Sequence, residues 1–136
     1  MDVLINIDVP DLAKAIGFYT QAFHLRVGRH FGVGGVELLG GTSPIYLLVK
    51  PSGSAPFEGA TEKRTYARHW SPVHLDFIVE ALEPAIQRAV RSGAIQEGDV
   101  RDAVWGRIAL FRDPFGHGFC LIQFKGRGYD EIATAG

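Results

Sequence analysis

The chain has 136 residues, 46% of them hydrophobic and 21% charged, with fourteen Lys and Arg against fifteen Asp and Glu. These are the proportions of one globular domain large enough for a real core, and the even charge balance without a basic run argues against a nucleic-acid partner, whose phosphates need a concentrated basic face. A single cysteine forbids an internal disulfide, no apolar stretch reaches the roughly 18 residues of a membrane span, and Met1-Asp2-Val3 lacks the flank and apolar block of a signal peptide, so the expected location is cytoplasmic.

Val3 to Val9 alternates, with Val3, Ile5, Ile7 and Val9 on one face and Leu4, Asn6 and Asp8 on the other, which predicts a strand with an aliphatic face and a mixed one. Pro10 stops it, and Asp11 is suited to cap a helix whose apolar stripe is Leu12, Ile16, Tyr19 and Phe23. Three short strands are expected next, at Arg26 to Phe31, Val36 to Leu39 and Ile45 to Lys50, divided by Gly34-Gly35 and Gly40-Gly41. Residues 51–72 are rich in Pro, Gly, Ser and charge and read as a linker. Val73 to Val79 alternates again, with Val73, Leu75, Phe77 and Val79 opposite His74, Asp76 and Ile78. A helix through Leu82, Ile86 and Ala89 follows, with Pro84 in its first turn and Gly93 as its C-terminal cap. Strands are expected at Ile95 to Val100, Arg107 to Phe111 and Phe119 to Phe124, the last two flanking the turn Asp113-Pro114-Phe115-Gly116.

The halves align at a constant offset: Val3 with Val73, Val9 with Val79, Leu12 with Leu82, Ala15 with Ala85, Ile16 with Ile86. The agreement of strand face, helix stripe and element order indicates an internal duplication of one β-α-β-β-β unit. The modules are expected at about 1–50 and 73–125, with a partly ordered tail over 126–136.

VPDLAKAIGFYTQAFHL (9–25), VHLDFIV with its helix ending Ser92-Gly93-Ala94, and RDPFGHGFCLIQF (112–124) together resemble the vicinal-oxygen-chelate superfamily of glyoxalases, bleomycin-resistance proteins and dioxygenases. The resemblance implies an α+β domain in which two tandem βαβββ modules form a curved, cup-shaped mixed sheet with helices on the outside. Aliphatic faces would then pack under the helices and mixed faces would line the hollow. It also implies a homodimer, and, in metal-dependent members, a divalent ion chelating two adjacent substrate oxygens. The ligand positions of the family fall here on Leu4, a residue near Tyr46, His74 and Cys120, of which only His74 keeps the expected ligand type. No metal is therefore expected as cofactor.

His74 on the hollow's face could serve as a hydrogen-bonding group or general base, and Asp76, two residues on, could fix its tautomer; as a catalytic pair they are set against the reading of a remnant histidine and a solvated carboxylate. At i and i+2 they meet only if the side chains lean together. A ligand would contact Asn6, Tyr46, His74, Trp105 and Cys120, with Phe31 and Trp70 as further aromatic lining, although such aromatics more often fill core and Cys120 more often behaves as a small hydrophobe. His24, His30, His69 and His117 fit no ligand spacing and read as surface or loop residues. The expected function is binding of a small, partly aromatic organic molecule in a concave cavity; the alternative is a lyase- or dioxygenase-like enzyme using His74 and Asp76 or an atypical metal site. Truncating Leu75, on the aliphatic face, is expected to remove core contacts, whereas truncating His74 is not.

Overall fold

The computed structural model describes residues 1–136. β1 (Ile5–Val9) leads into α1 (Leu12–Phe23), which Asp11 caps as expected, its carboxylate accepting the Lys14 N–H at 3.0 Å. β2 (Arg26–His30), β3 (Gly35–Leu39) and β4 (Ile45–Val49) complete the first module. Its four strands lie in the order β1-β4-β3-β2, with β1 parallel to β4 and the other pairs antiparallel. β5 (Leu75–Ile78) and α2 (Leu82–Ser92) begin the second module, and β6 (Ile95–Gln96), β7 (Arg101–Ala103), β8 (Gly106–Arg112) and β9 (Gly118–Phe124) follow. Here the order is β5-β9-β8-β6, again with first and last strands parallel, and β7 also on β8. The molecule is thus an α+β pair of βαβββ modules with two open mixed sheets.

Three boundaries differ from the sequence reading. Of the strand expected over Ile95 to Val100 only Ile95–Gln96 forms, pairing near Arg112; Gly98, at φ +92°, turns the chain, and β7 starts beyond the expected range at Arg101 and pairs near Ile108. Val3, Leu4, Val73 and His74 precede their strands instead of opening them. The tail is not loose throughout, because a 3-10 turn at Gly128–Glu131 sets Tyr129 against Trp105 and Phe124, with ring centroids 5.2 and 4.8 Å away.

The two-face pattern holds in both sheets. Val9, Val36, Leu38, Ile45 and Leu47 are buried on one face of the first, and Phe111, Phe119 and Leu121 on one face of the second. α1 also reaches across to the other module: Phe23 stacks on Phe77 at 3.9 Å and meets Phe119 edge-on at 5.3 Å, so one continuous core spans both halves. Leu75 lies on the aliphatic face but stays half-buried at this junction, which makes it a weaker core probe than expected; Leu121 is fully enclosed.

The linker forms neither helix nor strand, yet it is fastened along its length. Arg64 donates to Asp8 at 2.7 Å and to the Ala55 carbonyl at 2.6 Å, Tyr66 to the Lys50 carbonyl at 2.6 Å, and Arg68 pairs with Glu97. It is a strap laid over both modules. Beneath it, a Cβ on Gly116 would stand 2.6 Å from the Ala67 carbonyl oxygen, so glycine in the Asp-Pro-x-Gly turn is required by the close approach as well as by its φ of +83°. No helix is long and apolar enough to cross a membrane.

Candidate functional site

The second module's mixed face carries three adjacent chemical groups. Asp76 on β5 is in register with Cys120 on β9, and His74 stands just before β5 on the same side. The side chains of His74 and Asp76 do lean together, with His74 Nε2 3.3 Å from Asp76 Oδ1. Burial, and then the neighbouring Asp76 carboxylate, pushes the Cys120 thiol up to about 12, so it stays protonated at neutral pH. His74 is more than half exposed, whereas Cys120 is buried. The Asp76 carboxylate therefore lies beside both an imidazole and a thiol, an arrangement that can orient a histidine toward an acidic proton or polar atom of a ligand.

The equivalent face of the first module is closed on itself. Tyr46 aligns with Asn6 on β1 and Glu37 on β3, and its hydroxyl donates to Glu37 at 3.0 Å. Arg29 grips the same carboxylate through Nε and Nη2, the latter at 2.6 Å, and also donates to the Tyr46 oxygen. These bonds hold the Glu37 carboxyl down at about 2, although the side chain is nearly buried. No local pattern marks Glu37 as a polar anchor, since it sits inside the apolar run Val36-Glu37-Leu38-Leu39.

Two cavities meet at His74. One of about 170 Å³ lies on the second module's mixed face and is bordered by Trp70, Leu110 and Cys120. The other, of about 370 Å³, opens between the modules and is bordered by Asn6, Asp8, His69 and His117. The structure thus brings His74, Asp76 and Cys120 together and sets Asn6 across from His74. Tyr46 borders neither cavity, being engaged with Glu37 and stacked obliquely on Phe31 at 5.9 Å, and Trp105 belongs to the aromatic group around Tyr129. His69 and His117, read from the sequence as loop residues, are half-buried in the inter-module cavity; only the tertiary fold brings them there.

Two mixed sheets of βαβββ topology, each with its polar face turned from the helices, define the vicinal-oxygen-chelate superfamily. The chain belongs to its glyoxalase-like domain family, whose sequence model matches residues 4–122. Solved structures share this fold at low identity. FosX, a fosfomycin-resistance protein from Listeria monocytogenes, is 19% identical with a TM-score of 0.68, over 90% of this chain and 92% of its own. TioX from Micromonospora is 15% identical with a TM-score of 0.69, over 92% and 99%. Lactoylglutathione lyase from Agrobacterium tumefaciens is 16% identical with a TM-score of 0.62, over 90% and 92%. No curated protein matches the sequence.

The side chains do not fit the metal of the superfamily at its usual positions. Leu4 has no donor atom, and the Tyr46 oxygen is committed to Glu37 and Arg29. The donor atoms of His74, Asp76 and Cys120 lie within 4.8 Å of one another, but the thiol would have to lose a proton that burial, and then the Asp76 carboxylate, hold on it to about 12.

Proposed function

We propose that this protein binds a small, partly aromatic organic molecule at the junction of the two cavities, around His74, without the metal of its superfamily. The observation that carries this reading is the His74–Asp76–Cys120 group, with its exposed imidazole, facing apolar walls that include Trp70 and Leu110. The His74–Asp76 distance of 3.3 Å also favours a second reading, in which the pair acts as acid and base on the bound molecule. A cytoplasmic location accords with the free thiol of Cys120.

A homodimer is part of the proposal. β1 and β5 each pair on one side only, leaving two bare strand edges, and Leu4, Val73 and Ile78 beside them are 59%, 79% and 66% exposed. A second copy would cover both; a monomer by light scattering at working concentration would overturn this.

The binding reading is tested with a thermal-shift screen of small aromatic acids and phenols, followed by titration of the best probe into His74→Ala. We expect that variant to bind at least tenfold more weakly with an unchanged melting temperature when unliganded. Undiminished affinity in His74→Ala would reject the site.

A further inference from the structure

His69 and His117 come from the strap and from the turn before β9, and they meet in the wall of the inter-module cavity. Each ring sets its outer nitrogen against a backbone carbonyl: His69 Nδ1 is 2.9 Å from the Ala67 oxygen, and His117 Nε2 is 2.7 Å from the Asp8 oxygen. A carbonyl oxygen only accepts, so both outer nitrogens carry the ring proton. The inner nitrogens, His69 Nε2 and His117 Nδ1, then turn two lone pairs toward each other at 3.4 Å. Facing lone pairs repel unless a cation lies between them. Two imidazole nitrogens bound at about 2.0–2.1 Å to one tetrahedral ion stand about 3.3–3.4 Å apart, which is the spacing found. An outer N–H held by a carbonyl is also how ligating histidines are fixed in tautomer and orientation.

We propose that His69 and His117 form a binding site for one divalent transition-metal ion. It is separate from the four positions the superfamily uses, and its remaining coordination sites open on the cavity, where water or a ligand atom completes them. The nearby acidic groups are otherwise engaged: Asp8 with Arg64 at 2.7 Å, and Asp113 with Tyr19 at 2.6 Å. Two protein ligands are one fewer than catalytic zinc centres use, so the site is open and exchangeable. Zinc(II), which takes the tetrahedral geometry that this spacing fits, is the probe of choice.

The test titrates zinc(II) into the metal-stripped full chain, read by calorimetry and by NMR of the histidine rings. The expected result is one equivalent with two nitrogen ligands, its affinity falling at least tenfold in His69→Ala and in His117→Ala but not in His74→Ala. Because His117 also holds the Asp8 carbonyl, His69→Ala, which alters only the strap, decides the matter if the other variant is unfolded. Full affinity in His69→Ala overturns the site. Loss confined to His74→Ala overturns it too, and with it the metal-free reading of the ligand site. No zinc binding at all overturns this site and leaves that reading standing.

Discussion

The two modules share one plan and spend their polar faces differently. In the first, the residues aligned across β1, β4 and β3 are Asn6, Tyr46 and Glu37, and Arg29 closes over the last two. In the second, the aligned set is Asp76, Cys120 and Leu110, with an open imidazole at His74. A carboxylate paired with a guanidinium has its acceptors filled, so the first face is held rigid and offers a ligand little beyond Asn6 at its border and the exposed side of Arg29. The carboxylate of the second face holds only neutral or titratable partners, so it remains free to respond to what binds. After duplication of a βαβββ unit, one copy can thus turn its mixed face to structure while the other keeps it for chemistry.

The sharpest way to break this comparison is at the joint between the copies. Asp113 is buried in the Asp-Pro-x-Gly turn of the second module, where it accepts the Tyr19 hydroxyl from α1 of the first and the N–H groups of Phe115 and His117. Asp113→Ala leaves those donors unpaired in the core and should cost about 3 kcal/mol in urea denaturation, more than losing any one polar group from either mixed face.

Next comes Glu37. Its folded pKa lies near 2 against an ordinary 4.5, so the unfolded chain takes up this proton first as the pH falls. The contribution is therefore complete above about pH 4.5 and is lost on the way down to about pH 2. Glu37→Gln should lower stability at neutral pH and flatten the stability profile within that acid window; an unchanged profile would show that the network does not hold the first face.

The smallest effect compares the helix ends. α2 stops at Gly93 with φ +119°, whereas α1 stops at His24 with φ +55°, a left-handed position that costs an ordinary residue roughly 1–2 kcal/mol. His24→Gly should raise stability by about 0.5–1 kcal/mol in thermal melts. Gly93→Ala should lower it by about 1–2 kcal/mol, since the added methyl is strained in φ and meets the Pro114 ring. Equal and opposite responses would show that the copies differ at this cap by one residue only.

Much of the architecture was readable in the chain because it is locally encoded. Alternation in VLINIDV and VHLDFIV sorted each strand's faces correctly, and Asp11 and Gly93 marked the helix ends where they fall. His74, Asp76 and Cys120 could be brought together because a strand's two-residue period and the duplication place them on one face. Glu37 was missed because one acidic residue in an apolar strand looks the same whether solvated or gripped by an arginine from the neighbouring strand. The His69–His117 meeting was missed for a different reason: neither lies in a periodic element, and the strap that carries His69 has no pattern to predict its path. Trp105 was placed by composition alone, and composition does not distinguish a cavity wall from an aromatic cluster.

The stacking of Phe23 on Phe77, together with the pairing of each module's first strand with its last, bears on how the chain is synthesised. A ribosome delivers β1 and α1 early, yet the aromatic surface that α1 must cover stays incomplete until β9, the final strand, has emerged. Until then the nascent first half displays Phe18 and Phe23 to solvent or to a chaperone, and it has no stable resting place of its own. Both modules must therefore be synthesised before the protein can commit to its fold. A message truncated between the modules would yield a sticky fragment, not half of a working protein.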